Sequence, residues 1–461
     1  MCSSDLTDLP VVTYLIAVTM SRYFSVWSDW YMTGAGDSIE CRYYVLEEDS
    51  AKAREDFIHM VDAMDFFSRR FGPYPFEKYG IAEVKPFHYG GMEHQTLTTV
   101  NSNWITGDRS VENGFVHELA HSWWGNSVTL NDWPAIWLNE GFATYCEALF
   151  REYAYGLESM RARMRKAREA YFNQARQFDF PIYDPPEGEL FNWGIEYSKA
   201  ACVLHMLRKT VGDSVFWAAL RSYYSAHRYG NASVGDFQTA CESAAQMDLD
   251  WFFGQWIFST GFPVLEFAWT SRPAQGGRFE VLLNVRQQNS DAFHLPLDVR
   301  FGTAGTVFRD TTVWILNRNN RFQFIASVSP DTLVLDPDAW NLMTSRRVAW
   351  IPEKETDTET ENFRCVLQPN YPNPFNRVTA IRIDCTLDSS VADASGLRLS
   401  VFNLLGKKVR SLRLPIQINQ HTMEIPWDGL DDENRLLPSG IYIFKLEGPG
   451  FSSQVKAVLR R

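Results

Sequence analysis

Residues 117–121 read HELAH, and residues 137–145 read WLNEGFATY. Successive residues of an α-helix turn by about 100°, so His117 and His121 project from one edge of a helix while Glu118 stands one step round it. Apolar residues fill the rest of that helix, where unpaired imidazoles are costly to bury. With 9 histidines and 56 acidic residues in 461 positions, chance alone gives the pattern H-[DE]-x-x-H roughly 0.02 times. The pattern indicates a functional site. The alternative is two helix histidines whose hydrogen bonds are satisfied within the protein, beside a surface glutamate.

Zinc is the natural occupant of such a site, because two neutral histidine nitrogens and one carboxylate satisfy it and leave a fourth position open. Glu140, within WLNEGFATY, can supply the carboxylate, so the predicted ligands of one zinc ion per chain are His117, His121 and Glu140. Glu118 does not ligate; it is placed to take a proton from the attacking water and pass it to the departing amine. Since zinc activates water and polarises carbonyl groups, the expected reaction is amide hydrolysis.

Length and composition fit a globular protein of about three domains. The residues are 45% hydrophobic and 15% aromatic, and the formal net charge is -12. This acidic balance leaves no basic excess to neutralise phosphates, so nucleic acid and anionic membrane surfaces are not expected partners. The sequence contains no apolar run of about 18 residues, which predicts no membrane span. The seven cysteines form no C-x-x-C pair and predict neither a thiolate zinc site nor a disulfide framework.

Hydrophobic periodicity divides the chain into a helical middle and β-rich ends. The apolar stretch PVVTYLIAV near the N-terminus is predicted to be a strand. Five segments follow from these patterns: 1–48, a remnant of an N-terminal β domain with the strands that lead out of it; 49–260, the catalytic domain; 261–350, a β-sandwich; 351–364, an acidic linker; and 365–461, a second small sandwich.

Taken together, the motifs resemble those of the zinc aminopeptidases that include alanyl aminopeptidases and leukotriene hydrolase. The resemblance rests on HELAHSWWGN, WLNEGFATY, FGPYPFEKYG and GGMEH, and it covers roughly residues 11–350. It implies a multidomain α+β protein, in which a thermolysin-like, mainly helical zinc-peptidase domain is followed by small β-sandwich domains. It also implies the ligands and the general base that the helix geometry suggests.

The exopeptidase motif of that family, GAMEN or GGMEN, corresponds here to Gly90, Gly91, Met92, Glu93 and His94. The family's glutamate binds the free α-ammonium group of the substrate, which implies this role for Glu93 and peptides with a free N-terminus as substrates. A carboxylate fixed near the scissile bond favours a charged amine and leaves an acylated chain unpaired. Without the helix motif, GGMEH would indicate only a glycine-permitted turn with a solvated glutamate.

The family also uses a tyrosine, in a Y-x-K-G-A pattern, to donate a hydrogen bond to the tetrahedral oxyanion. This chain reads YSKAA, so the implied residue is Tyr197, and Ala200 stands where glycine is usual. Considered alone, Tyr197 would be an ordinary packing aromatic. Family members begin with a large saddle-like β domain that walls the substrate pocket. This chain is expected to be N-terminally truncated and to retain only the last strand or so of that domain.

The C-terminal segment resembles the sorting domains of type IX secretion in Bacteroidetes-like bacteria. The resemblance rests on QPNYPNPFN, VFNLLGKKV, WDGLDDENRLLPSGIYIFKL and VKAVLRR. Its Asn-Pro pairs favour extended or turn geometry, and the strands that follow suit a small sandwich. The resemblance implies export by the type IX machinery, so that the protein is secreted or held at the cell surface. The alternative is a plain carbohydrate- or protein-binding sandwich.

Three functions therefore remain open from the sequence. The first is a zinc aminopeptidase, and the second is a thermolysin-like zinc endopeptidase, which shares the helix motif. Glu93 favours the first over the second. The third is a catalytically impaired fragment that acts as a surface binding protein, which the missing front domain and the β-sandwiches suggest.

Overall fold

The computed structural model describes residues 9–19, 24–349, 363–368, 370–387, 392–393, 397–403, 407–414, 417–418, 422–448 and 451–461. The chain forms two compact units. The first comprises Met1–Ala244 and Trp256–Gly261, and the second comprises Ala245–Gln255 and Phe262–Arg461. The predicted acidic linker lies almost entirely outside the described residues, and the division into five segments stays a prediction.

The first unit contains a five-stranded sheet with the strand order β1-β2-β3-β5-β4. Its strands are β1 (Phe24–Met32), β2 (Ser38–Leu46), β3 (Lys78–Val84), β4 (Gly91–Met92) and β5 (Thr98–Asn101). The three central strands run parallel, while β1 and β4 pair antiparallel with their neighbours at the two ends of the sheet. The first two strands of the chain thus extend the same sheet that ends in β4.

Among its described residues the first unit contains eight α-helices, in the region where the helical periodicity predicts them. They are α1 (Ser50–Asp56), α2 (Met60–Phe71), α3 (Glu112–Ala120), α4 (Trp137–Tyr155), α5 (Leu157–Ala175), α6 (Ala200–Val211), α7 (Asp213–His227) and α8 (Val234–Ala245). Two short strands, β6 (Val128–Leu130) and β7 (Gly230–Ala232), pair parallel to each other.

The prediction that PVVTYLIAV, residues 10–18, forms a strand is wrong. Residues 10–18 instead hold a 3-10 turn at Thr13–Leu15, and no described strand pairs with them. Leu15 is buried, whereas Ile16 and Val18 are exposed. A short apolar run suits a strand, but an extended chain needs a neighbour to pair its backbone groups, and a turn satisfies them locally instead.

Helix α4 lies at the centre of the first unit. Every residue from Trp137 to Phe150 is buried, so the helix meets protein on all of its faces. Aromatic rings pack where α3 ends: the ring centroid of Trp124 lies 5.1 Å from that of Phe71 and 5.0 Å from that of Phe142. The close packing fixes the end of α3 against α4, which are the two helices that carry the motifs.

A π-helical turn, Trp193–Lys199, leads directly into α6. The side chain of Asn192 caps it by accepting hydrogen bonds from the backbone amides of Gly194 and Ile195, at 3.0 and 3.1 Å. The start of α6 packs closely on α4, because a Cβ added at Gly141 would lie 2.5 Å from the Cβ of Ala200. Only a glycine in α4 permits this approach.

The second unit is mainly β-structure, with one helix, α9 (Asp250–Trp256), at its start. Its first strands are β8 (Val264–Pro273), β9 (Phe279–Gln287), β10 (Leu295–Thr303), β11 (Thr306–Ile315), β12 (Asn319–Ala326), β13 (Thr332–Leu335) and β14 (Thr344–Arg347). They form two sheets, β11-β10-β13 and β12-β9-β8-β14. The rings of Phe301 and Phe324 meet between these sheets at 5.0 Å.

The remaining strands of this unit form three further sheets, β15-β16-β21, β17-β20 and β19-β18-β22-β23. They are β15 (Phe363–Leu367), β16 (Thr379–Leu387), β17 (Ala392–Asp393), β18 (Arg398–Asn403), β19 (Lys408–Leu412), β20 (Gln417–Ile418), β21 (Thr422–Trp427), β22 (Gly440–Gly448) and β23 (Phe451–Leu459). The buried Trp427 ring contacts Phe375, Tyr442 and Phe444. The period-two patterns at both ends of this unit thus correspond to strands.

Cysteine chemistry differs between the two units. Cys365 in β15 is disulfide-bonded, and its Cα partner across the sheet is Cys385. Four cysteines of the first unit are free and buried: Cys41, Cys146, Cys202 and Cys241. Across the described ranges, none of the helices has the length and apolar character that crossing a bilayer requires.

Replacing Gly141 by alanine should destabilise the first unit by about 1 to 3 kcal/mol, because the new methyl group must displace Ala200 and with it the start of α6. The measurement is the free energy of unfolding from denaturant titration.

The matched control is Gly235→Ala in α8, where an added Cβ meets only an ordinary contact with the Ser233 hydroxyl. That change should be neutral or stabilise the helix by about 0.5 to 1 kcal/mol. Equal effects of the two changes would show that the α4–α6 contact is not tight.

Candidate metal centre and active site

The predicted ligands converge in the folded chain. The Nε2 atoms of His117 and His121 lie 3.2 and 3.4 Å from the same carboxylate oxygen, Oε2 of Glu140. His117 lies on α3, His121 caps its C-terminus, and Glu140 lies in the first turn of α4, so the packing of these helices brings the ligands together. All three side chains are buried.

The donor set fits a tetrahedral cation. Zinc lies about 2.0 to 2.2 Å from histidine nitrogen and carboxylate oxygen, which places two tetrahedral ligand atoms roughly 3.3 Å apart. The nitrogen–oxygen separations around Glu140 match this edge length. Neutral imidazole and carboxylate are also the ligands that zinc prefers. His117, His121 and Glu140 could therefore hold a metal ion.

The Nδ1 atom of each imidazole also has a hydrogen-bond partner. Nδ1 of His121 lies 2.9 Å from the backbone carbonyl oxygen of Trp124, and Nδ1 of His117 lies 3.1 Å from Oε1 of Glu147. Because a carbonyl or carboxylate oxygen only accepts, each Nδ1 must carry the proton. In the neutral form of each imidazole, Nε2 then keeps a lone pair directed at the site, which is the tautomer that a metal ligand needs.

Glu118 faces the same site, and with Glu93 and His121 it forms a second group whose possible ligand atoms lie within 4.8 Å of one another. Its carboxylate is buried, and its Oε2 atom has no hydrogen-bond partner among the described residues. The backbone of Gly91 lies directly against this carboxylate, so that a Cβ built on Gly91 would overlap it. Similarly, a Cβ on Gly90 would overlap the Trp104 ring. The two glycines of the GGMEH motif are thus needed for close approach, and neither requires a positive φ.

Glu93 directly follows β4, the strand formed by Gly91 and Met92 at the end of the sheet. The side-chain amide of Asn126 donates a 2.7 Å hydrogen bond to the backbone carbonyl of Glu93, which fixes the chain at this point. Its carboxylate is close enough to His121 and Glu140 for their charges to act on it. The side chain of His94 instead lies 2.8 Å from the Thr99 hydroxyl. The structure therefore brings Glu93 to the metal ligands.

Tyr197 lies in the π-helical turn, with its ring stacked on the ring of His117 at a centroid distance of 6.1 Å. The ring centroid of Trp193, one turn earlier, lies 4.9 Å from that of Tyr197. Burial raises the pKa of the Tyr197 phenol, and the charges of Glu140 and Glu93 raise it further. The hydroxyl is therefore a permanent donor at physiological pH. The predicted site side chains that the structure brings together are His117, Glu118, His121, Glu140, Glu93 and Tyr197.

The sequence analysis missed three residues near this centre. The ring of Tyr14 is tilted against that of Trp133, with the centroids 5.5 Å apart, and burial together with the charges of Glu93 and Glu140 raises the pKa of Tyr14. Glu147 contacts the ligand His117, and Arg163 contacts Glu147. Glu147 lies two helical turns beyond Glu140, so helical spacing could have found it. Nothing in the sequence points to Tyr14 or Arg163.

The electrostatics of the metal-free centre are set by burial and by imidazole–carboxylate pairing. Burial disfavours the charged imidazolium, but the charges of Glu93 and Glu140 outweigh it and raise the pKa of His121 to about 9. Burial likewise opposes ionisation of Glu140, yet the two histidines hold its pKa near 2. For Glu118, burial dominates and raises the pKa to about 8. Such displaced values within one cleft are typical of functional sites.

Comparison with known proteins gives a family match for the helical part of the chain. Residues 56–256 match the family model described as "Peptidase family M1 domain". Aminopeptidase N of Streptomyces lividans is 29% identical over 273 residues, which cover 55% of this chain and 32% of the relative. Aminopeptidase M1 of Arabidopsis thaliana is 28% identical over 270 residues, which cover 55% of this chain and 30% of the relative. The chain thus spans about a third of the length of these relatives.

A solved structure shares the fold. The crystal structure of Legionella pneumophila aminopeptidase A in complex with aspartic acid superposes with a TM-score of 0.61 at 19% identity, over 71% of this chain and 39% of that chain. Likeness at this identity shows the fold alone. The M1 domain match and the curated relatives support a metallopeptidase of the aminopeptidase class.

Zinc binding should release protons and should tighten as the pH rises towards about 9, the raised pKa of His121. An imidazolium has no lone pair to offer, so below this pH the metal must displace a proton from His121. Burial lowers the pKa of His117, but its hydrogen bonds with Glu140 and Glu147 raise it well above the ordinary value, so this ligand too must lose a proton. The measurement is isothermal titration of zinc into the metal-free chain at several pH values, in buffers of different ionisation enthalpy.

Glu93→Gln provides the comparison, because it removes one of the charges that raise the pKa of His121 without removing a ligand. The zinc affinity of this variant should stop rising at a lower pH than that of the unsubstituted chain. A zinc affinity that is the same at pH 7 and pH 9 in the unsubstituted chain would contradict this account.

Proposed function

We propose that this chain is a zinc-dependent aminopeptidase that hydrolyses the N-terminal peptide bond of peptides. One observation carries the proposal: a third carboxylate, Glu93, stands at the end of β4 beside a His117–His121–Glu140 centre that fits a tetrahedral cation. The M1 domain match over residues 56–256 and the aminopeptidase relatives support it.

The proposed substrate lies with its free α-ammonium group on Glu93 and its first carbonyl over the metal ligands. A carboxylate that is buried and partly uncompensated attracts such a cation strongly. Glu93 is 7% exposed, and burial is the first cause that raises its pKa, so an arriving ammonium group would favour the ionised form. An N-acylated peptide brings no charge to this position and leaves the carboxylate unpaired.

When bound, zinc supplies Lewis-acid polarisation of the carbonyl and an activated water. The chain's own residues then handle the proton and the developing charge. The Oε2 atom of Glu118, which has no partner among the described residues, accepts the water proton and delivers it to the departing amine. The Tyr197 hydroxyl donates a hydrogen bond to the oxyanion, a contribution that typically amounts to about 10² to 10³ in turnover.

An endopeptidase would use the same zinc ligands and general base. It would need an open cleft on the amine side of the scissile bond, because the substrate chain continues there. Glu93 stands in that direction and offers a negative charge where an endopeptidase substrate has a neutral peptide group. This placement favours the aminopeptidase.

The deciding experiment compares hydrolysis of Ala-Ala-Phe-amide with that of its N-acetylated form by the zinc-loaded full chain, and repeats both with Glu118→Gln. We expect the free peptide to lose alanine, the acetylated peptide to resist, and the glutamine variant to be slower by about 10² to 10⁴ because it cannot accept a proton. Mass spectrometry of the products gives the bond cleaved and the rate.

Glu158→Gln is the matched control, since Glu158 is a well-exposed glutamate on α5. It should be as fast as the unsubstituted chain. Internal cleavage of the acetylated peptide would replace the proposal with an endopeptidase. Tight zinc binding without cleavage of either peptide would instead support the binding-protein alternative.

We propose further that residues 365–461 direct export through the type IX machinery. The proposal rests on the resemblance of QPNYPNPFN, VFNLLGKKV and the closing VKAVLRR to sorting domains. In agreement with a module of this kind, the segment has a core of its own, which includes Ile381, Val401, Trp427, Phe444 and Leu459.

A fusion of residues 363–461 to a fluorescent protein that carries a general secretion signal should reach the cell surface or the medium of a bacterium with a type IX system. It should remain periplasmic in a strain that lacks the system, which fractionation measures. Export in both strains, or in neither, would contradict the sorting role.

A further inference from the structure

A chain of three buried polar groups crosses three helices behind the metal centre. His117 of α3 lies with its Nδ1 atom 3.1 Å from Oε1 of Glu147 in α4. Nε of Arg163 in α5 donates a 2.8 Å hydrogen bond to the other oxygen, Oε2 of Glu147. The three side chains are each less than one-tenth exposed. Each oxygen of the Glu147 carboxylate therefore has one specific partner.

The two ligand imidazoles are held by different kinds of group. His121 is held by the backbone carbonyl of Trp124, whose position is set by the chain itself. His117 depends on the Glu147 side chain, whose position is set only by packing and by Arg163. A side-chain carboxylate has rotatable bonds that a backbone carbonyl lacks, so the orientation of His117 needs a second contact to become fixed.

Charge gives a second reason for Arg163. The centre contains the carboxylates of Glu93, Glu118, Glu140 and Glu147 in a buried region. An ionised carboxylate away from water is expensive unless a partner with good geometry compensates it. Arg163 keeps its charge at any physiological pH and ion-pairs with Glu147 at 2.8 Å. Glu147 can then remain an ionised acceptor for His117 without drawing on the charge of a bound metal.

We propose that Arg163 is a positioning residue of the metal centre: through Glu147 it fixes the orientation of His117 and thereby sets the affinity of the site for zinc. The inference rests on the proposed function for the identity of the metal, and it does not depend on the reaction. A partner behind a ligand histidine typically contributes about 10- to 100-fold in metal affinity.

The test measures the zinc dissociation constant of the full chain by competition with a chromogenic chelator. Arg163→Met keeps much of the side-chain length and removes the charge and the donors. We expect it to weaken zinc binding about 10- to 100-fold. Arg163→Lys keeps a charged donor and should recover part of the loss.

The matched control is Arg208→Met. Arg208 is another buried arginine of the first unit, held by Glu152 and Asp213, neither of which we place at the metal centre. This change should lower the free energy of unfolding, as Arg163→Met does, but should leave the zinc dissociation constant within about twofold. A purely structural role of Arg163 predicts the same zinc affinity for both variants.

A spectroscopic readout addresses the mechanism directly. In the zinc-loaded chain, nitrogen chemical shifts of the His117 imidazole report which nitrogen carries the proton and how strongly it is hydrogen-bonded. We expect Arg163→Met to broaden or shift the Nδ1 signal of His117 and to leave that of His121 in place, because only His117 is held through Glu147.

Glu147→Gln keeps the test decisive if Arg163→Met does not fold, since it retains an oxygen acceptor for His117 and loses the ion pair with Arg163. It should also weaken zinc binding. Unchanged zinc affinity in folded Arg163→Met, or in folded Glu147→Gln, overturns the inference, and so does an equal loss in Arg208→Met. A chain that binds zinc with this dependence but cleaves no peptide would refute the proposed function and leave the role of Arg163 standing.

Discussion

The burial of several ionisable groups within one helical core is the constraint on which the first unit depends. Six such side chains share the region around α4: Glu93, His117, Glu118, His121, Glu140 and Glu147. Each would cost several kcal/mol if it were charged and unpaired in such surroundings. The fold meets this cost by pairing imidazole with carboxylate across α3 and α4, and by packing α4 on every face so that the pairs stay in register.

This pairing also separates structural groups from chemical ones. Glu147 has both an imidazole and a guanidinium partner within the protein, so it holds other side chains in place. The Oε2 atom of Glu118, in contrast, has no partner within the described part of the chain. A buried polar atom without a partner is unstable in a purely structural role and is typical of a group that acts on a ligand. The division follows the roles proposed for these residues.

Much of the centre could be predicted from the sequence because its geometry is local. His117, Glu118 and His121 lie within two turns of one helix, where spacing alone fixes direction, and Glu140 follows in a short and strongly patterned segment. The β-rich and helical regions were equally readable from periodicity. Glu93 and Tyr197 could be placed only through resemblance, since nothing local relates a strand end or a π-helical turn to the ligands.

The rest could not be predicted because it arises from tertiary contact. Arg163 meets Glu147 only because α5 packs on α4, and Tyr14 comes near Glu93 only through the path of an irregular segment. The same segment shows why the strand predicted at residues 10–18 does not form. An apolar run favours an extended chain, but the presence of a pairing partner decides whether a strand forms.

Gly91 shows how close packing at the centre restricts which residues can occupy one position. Its backbone lies so close to the Glu118 carboxylate that any Cβ would overlap it, and the obstruction is therefore mutual. A larger residue at position 91 would require the Glu118 side chain to move, and the proton acceptor would then leave its place. The tolerance of position 91 therefore depends on the residue at position 118, so a lineage that keeps Glu118 in this place must also keep the glycine.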